Sequence, residues 1–216
     1  QEVRGSTPLT STIGADQFPQ QGPARVLKKE FSMSRSITLV PSLLILTLTA
    51  GLSVPARAEA EVIALWPHSP PGMTGAPPVE TEQPAKGDGV RRITNIHPPR
   101  IELYRAARPS GASILVCPGG GYNILAISHE GAEVCHWLNR LGITAALLYY
   151  RVPNQREGAF QDAQRALGVL RARAAEWGLD PQRIGVLGFS AGGHLAARLA
   201  SHTGSRTYER QDTCDD

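Results

Sequence analysis

The stretch Arg183-Ile184-Gly185-Val186-Leu187-Gly188-Phe189-Ser190-Ala191-Gly192-Gly193-His194-Leu195 runs from a short apolar strand through a G-x-S-x-G turn into a helix. A strand that passes straight into a helix forces the intervening residue into a sharp, strained turn. Glycines two before and two after that residue remove the Cβ atoms that would otherwise collide. The segment therefore predicts a nucleophile elbow that holds Ser190 up at the carboxyl end of a sheet. The pentapeptide alone fixes three residues and matches by chance at one in roughly 3,000 positions, so its surroundings must carry the rest.

Upstream, Ser113-Ile114-Leu115-Val116-Cys117 reads as a second buried strand and ends in Pro118-Gly119-Gly120-Gly121-Tyr122. A glycine run lets bare backbone N–H groups face a ligand, which is what an oxyanion hole beside an activated serine requires. The alternative for the triple glycine is a mere tight turn, which the presence of the elbow disfavours. The two motifs together make Ser190 the candidate nucleophile and the glycine run the candidate oxyanion loop. Tyr122, Asn123, Tyr150 and Arg151 are candidate substrate contacts because they fall at carboxyl ends of strands, where ligands bind in such sheets. His129 and Glu130 lie near the same mouth, although Glu130 is equally explained as an acid complementing a helix amino terminus.

The first 58 residues are set aside before the fold is argued. Residues 1–32 lack an initiator Met and any apolar periodicity, and are expected to be non-native or disordered upstream sequence. From Met33 the chain reads as a signal peptide, 33–58, with Arg35, an apolar run over 37–52 and the small-residue site Ala56-Arg57-Ala58. This predicts a secreted or periplasmic protein. Pro41, Thr47, Thr49, Gly51 and Ser53 make a poor lipid-spanning helix, so no stable membrane anchor is expected. The leader holds six of the 22 basic and three of the 19 acidic residues, which leaves 16 of each. The net charge of +3 thus belongs to the leader, and no basic patch argues for nucleic acid.

The remainder divides into an extended Pro/Gly-rich surface arm, 59–89, and an α/β domain, 90–216. Strands are expected over 91–96, 100–105, 113–117, 143–150 and 183–187. The continuous apolar run of 143–150 marks a strand covered on both faces. Helices are expected over 131–141, around the stripe Ala163, Leu167, Leu170, Ala174 and Trp177, and from Ser190 to about Ser201. This order predicts a doubly wound, mostly parallel sheet. Trp66, Trp137 and Trp177 are read as packing anchors. Cys117 and Cys135 suit packing too, while Cys214 lies in a polar tail, and no spacing compels a disulfide. No C-x-x-C or H-E-x-x-H pattern argues for a metal.

With both motifs placed, the chain resembles the α/β-hydrolase superfamily over about residues 90–203, and within it secreted esterases of the hormone-sensitive-lipase-like and acetyl-xylan-esterase-like groups. Cys117-Pro118-Gly119-Gly120-Gly121-Tyr122 stands where those families carry an H-G-G-G-type loop, with Pro118 replacing its histidine. Tyr149-Tyr150-Arg151-Val152 looks like their Y-R segment, and Gly188-Phe189-Ser190-Ala191-Gly192-Gly193-His194 matches their elbow. The resemblance implies a serine hydrolase of carboxylic esters, short-chain acyl or acetyl, on a small-molecule or polysaccharide substrate, with Ser190 as the catalytic nucleophile and the N–H groups of Gly120, Gly121 and Ala191 as the oxyanion donors. It implies no cofactor, since the mechanism uses only protein groups and water. Such hydrolases place an acid and then a histidine after the serine. His194 and His202 precede Asp212, Asp215 and Asp216 and cannot meet that order, and His194 is expected in an interior or loop-supporting role. The chain is therefore expected to lack the C-terminal strands and helices with the triad Asp and His. Two other readings stay open: a catalytically incompetent fragment, and a prolyl-oligopeptidase-like peptidase, with a formamidase-like amide hydrolase behind them.

Overall fold

The computed structural model describes residues 60–202 and 204–216. Five strands form the main sheet: β1 (Glu61–Ala64), β4 (Arg100–Tyr104), β7 (Thr144–Tyr149), β5 (Ser113–Cys117) and β8 (Ile184–Gly188), in that spatial order. β5 pairs in parallel with both β7 and β8, whereas β4 is antiparallel to β1 and to β7. Four of the five strands thus share one direction and β4 alone opposes them. A smaller antiparallel sheet joins β2 (Thr81–Glu82), β3 (Arg92–Thr94) and β6 (Leu125–Ala126).

Among the described residues, four α-helices accompany the sheets: α1 (Glu133–Arg140), α2 (Arg156–Ala172), α3 (Ala174–Trp177) and α4 (Ala191–Ser201). The crossover from β5 through α1 moves one way along the sheet to β7, and the crossover from β7 through α2 moves back past β5 to β8. Right-handed connections running in opposite directions place α1 and α2 on opposite faces. Every residue of β7 is buried, as its unbroken apolar run predicts. The direction of winding reverses between β5 and β8. The crevice at their carboxyl ends is therefore the place where a ligand fits such a sheet.

Several expectations change in the folded chain. The segment 59–89 is not wholly a surface arm, because β1 joins the main sheet and Leu65 and Trp66 enter the core. The helix expected to run through Trp177 breaks at Arg173 into α2 and α3, and Gly178 stops it in the left-handed region with φ 67°. Trp137 is 48% exposed, so it is no packing anchor, whereas Trp66 and Trp177 are buried. β8 is only half-buried and, among the described residues, pairs with β5 alone.

Two buried charged clusters were invisible in the apolar stripe. Asp162 of α2 pairs with Arg151, their side chains 0% and 1% exposed, and also accepts from Trp66 Nε1 at 2.8 Å. Arg165 of the same helix is buried too. It holds Asp212 at 2.5 Å and Asp215 at 2.9 Å, and donates to Leu65 O at 2.8 Å. These pairs seat the 3₁₀ turn Thr213–Asp215 against α2, where Gly168 lets the Cys214 carbonyl approach.

Candidate active site

Cys117, the last residue of β5, lies beside Gly188, the last residue of β8. The glycine loop and the elbow therefore leave the sheet from adjacent strands, and Phe189 N donates to Cys117 O at 3.1 Å. Ser190 sits at φ 50°, ψ −116°, a strained conformation for a residue with a side chain, and is exposed. Ala191 opens α4, so its N–H belongs to the positive end of that helix.

The glycines are explained by close approach. A Cβ on Gly119 would lie 2.7 Å from Phe189 O, 2.8 Å from Glu130 Oε2 and 3.1 Å from Ser190 Cβ. One on Gly192 would collide with the carbonyls of Cys117 and Pro118. Loop and elbow thus touch backbone to backbone, with no room for a side chain between them. Among the described residues, no hydrogen bond engages the N–H groups of Gly120, Gly121 or Ala191.

The four candidate substrate contacts separate. Asn123 is exposed at the loop, its side chain turned back 3.4 Å from Gly121 O while its own carbonyl accepts from Thr94 Oγ1 at 2.7 Å. Tyr122 is buried at φ 61°, its hydroxyl 2.8 Å from His194 Nδ1 and its ring under the Arg156 guanidinium. Burial raises its phenol pKa. His194 thus braces the glycine loop through Tyr122 from one turn along α4, the loop-supporting role expected of it, though it is exposed rather than interior.

Tyr150 and Arg151 lie behind the loop, not in its mouth. Tyr150 is fully buried and its hydroxyl donates to Pro118 O at 2.6 Å; burial pushes its pKa up, so it remains a donor. Arg151 spends its guanidinium on Asp162, Pro71 O, Gly158 O and Gln161 Oε1. Their position at a strand end suggested a ligand because the sequence did not reveal these partners.

Glu130 belongs to a single π-helical turn, Ser128–Ala132, and its Oε2 accepts from Gly119 N at 2.8 Å. His129 Nε2 stands 3.6 Å from its other oxygen. No local signal distinguishes this contact from an ordinary acid at a helix start. Among the described residues, no side chain is hydrogen-bonded to Ser190 Oγ, and no cluster of three metal-ligating side chains occurs.

A mostly parallel sheet wound on both faces, with a strained serine between strand and helix and a glycine loop on the neighbouring strand, defines an α/β-hydrolase. More particularly, the chain belongs to the BD-FAE family, whose profile matches residues 104–214, over half of its length. It is 38% identical over 103 residues to an acetylxylan esterase of Xylanibacter ruminicola, covering 47% of this chain and 22% of that protein. It is 34% identical over 95 residues to endo-1,4-beta-xylanase B of Butyrivibrio fibrisolvens, covering 41% of this chain and 15% of that one. Among solved structures, the acetyl ester-xyloside bifunctional hydrolase of Caldicellulosiruptor lactoaceticus superposes with a TM-score of 0.57 at 32% identity. That match covers 74% of this chain and 54% of the hydrolase. The chain thus spans about half the length of that structure and under a quarter of either curated relative.

Proposed function

We propose that this chain carries the nucleophile and oxyanion-binding part of a serine hydrolase acting on carboxylic esters. The observation that carries the reading is the strained, exposed Ser190 packed directly against a glycine loop in which, among the described residues, the Gly120 and Gly121 amides have no protein acceptor. Ser190 Oγ attacks the ester carbonyl as a base takes its proton. The carbonyl oxygen gathers negative charge and is met by the N–H groups of Gly120, Gly121 and Ala191. The alcohol leaves with a proton and an acyl-serine remains, which water hydrolyses to free acid and serine. Each oxyanion donor is worth a factor of about 10² to 10³.

Short-chain or acetyl esters, on a small molecule or a plant polysaccharide, are the proposed substrates. The likeness to proteins named for acetylxylan ester and xyloside hydrolysis supports that choice. Export is proposed from the 33–58 pattern, which lies outside the described residues. The absence of a base at Ser190 Oγ among the described residues favours a second reading, in which this polypeptide alone turns over slowly or not at all. Hydrolysis of p-nitrophenyl acetate is compared with that of Ser190→Ala, and acetate release is followed on acetylated xylan. A rate well above Ser190→Ala is expected of the esterase, and equal rates would leave only the incompetent reading for this chain.

A further inference from the structure

The Pro118–Gly119 peptide is held at both ends by side chains that the reaction itself does not use. Its carbonyl accepts from the buried Tyr150 hydroxyl at 2.6 Å, and its N–H donates to Glu130 Oε2 at 2.8 Å. The bond is not among the cis peptides, so C=O and N–H point to opposite sides of one rigid plate. The two grips come from different elements: Tyr150 follows β7, and Glu130 sits on the π-helical turn beyond the loop. The same carbonyl is one that a Cβ on Gly192 would strike, so the plate also rests on the elbow.

We infer that Glu130 and Tyr150 are positioning residues, a two-sided clamp on the Pro118–Gly119 peptide that fixes the direction of the Gly120 and Gly121 amides. The inference rests on the esterase reading above and adds to it what keeps the cradle in shape. Three consecutive glycines populate both signs of φ at little cost, so the loop takes its shape from its hydrogen bonds. Gly119 O accepts from Ala126 N at 3.0 Å and Gly120 O from Asn123 N at 3.0 Å and Ile124 N at 3.1 Å, which leaves the first peptide of the loop to the clamp. Gly120 and Gly121 lie at φ 141° and 64°, and the amide of Gly120 is carried by the next peptide after the clamped one. A first peptide released at Gly119 leaves the following donors to the backbone bonds at the Gly119 and Gly120 carbonyls alone and loosens their placement. A carboxylate beside a site that gathers negative charge opposes that charge. Any benefit from Glu130 therefore comes through geometry, and its oxygen is already taken by the Gly119 N–H.

The test uses Glu130→Ala, Glu130→Gln and Tyr150→Phe in the whole chain, with p-nitrophenyl acetate kinetics, thermal melting and amide hydrogen exchange at Gly119. Glu130→Ala and Tyr150→Phe are expected to lower kcat roughly 10- to 100-fold, with KM nearly unchanged, because oxyanion donors act in the transition state. Glu130→Gln keeps a carbonyl acceptor and is expected to recover most of that loss. In Glu130→Ala, Gly119 amide protection falls while core amides keep theirs. Unchanged kcat, or equal losses in Glu130→Ala and Glu130→Gln, would overturn the clamp. If the wild-type chain hydrolyses no ester faster than Ser190→Ala, the esterase reading fails separately. The clamp is then judged on exchange alone, where unaltered protection at Gly119 in Glu130→Ala overturns it.

Discussion

Replacing Asp162 with Asn separates a structural role for Arg151 from a ligand-binding one. Asp162 is 0% exposed and accepts from Trp66 Nε1 at 2.8 Å, Arg151 N at 2.9 Å and Arg151 Nε at 3.0 Å. Burial, the largest influence, raises its carboxyl pKa against the lowering effect of Arg151. The substitution removes the negative charge opposite a guanidinium that is 1% exposed and points an NH₂ at groups that are all donors. The remaining partners of Arg151, at Pro71 O, Gly158 O and Gln161 Oε1, are neutral. Breaking one side of a buried pair costs about 3–5 kcal/mol, against a total stability of order 5–15 kcal/mol. At roughly 2–4 °C per kcal/mol for a domain of this size, Tm falls by roughly 6–20 °C. Urea and thermal unfolding followed by tryptophan fluorescence measure it, with Trp66 itself in the cluster. A loss under about 1 kcal/mol would refute the closed pair. So would a tenfold rise in KM at a temperature where the variant is folded, since that places Arg151 back in the pocket.

Three further outcomes follow from the same contacts. Gly119→Ala puts a Cβ 2.7 Å from Phe189 O and 3.1 Å from Ser190 Cβ. It should cost about 1–3 kcal/mol in a melt and about 10²-fold or more in ester kcat, and wild-type kinetics would contradict the loop–elbow contact. Asp212 is held down to about 2, from an ordinary 3.8, chiefly by the Arg165 guanidinium. Its contribution to stability is complete above the unfolded value and is lost as pH falls toward 2, so Asp212→Asn should show a shallower fall of Tm between pH 5 and pH 2. Burial pushes the thiols of Cys117 and Cys135 up to about 12. Disulfide-exchange labelling at pH 8 should leave both unmodified until the protein unfolds, and prompt reaction of Cys117 in the folded protein would contradict its burial.

The elements that sequence rules placed well are those whose signal is local. The all-apolar run of 143–150 became the fully buried β7, and the G-x-S-x-G turn became the strained passage from β8 to α4. Sequence rules failed where a polar group finds its partner far along the chain. Asp162 and Arg165 sit on the buried side of α2 because Trp66, Arg151, Asp212 and Asp215 meet them there. No periodicity encodes a partner 96 residues away, the separation of Trp66 from Asp162. Tyr150 and Arg151 were misplaced in the ligand mouth for the same reason.

What the sequence determined by itself was the pair of backbone devices, because glycine and serine spacing acts through sterics within a few residues. That they stand side by side was decided by the sheet, which makes β5 and β8 neighbours and brings Cys117 beside Gly188. The side chains that hold the cradle, Glu130, Tyr150 and His194 through Tyr122, were likewise assigned only by the tertiary structure. Hydrogen bonds last only a few ångströms, and folding alone brings these groups within that range.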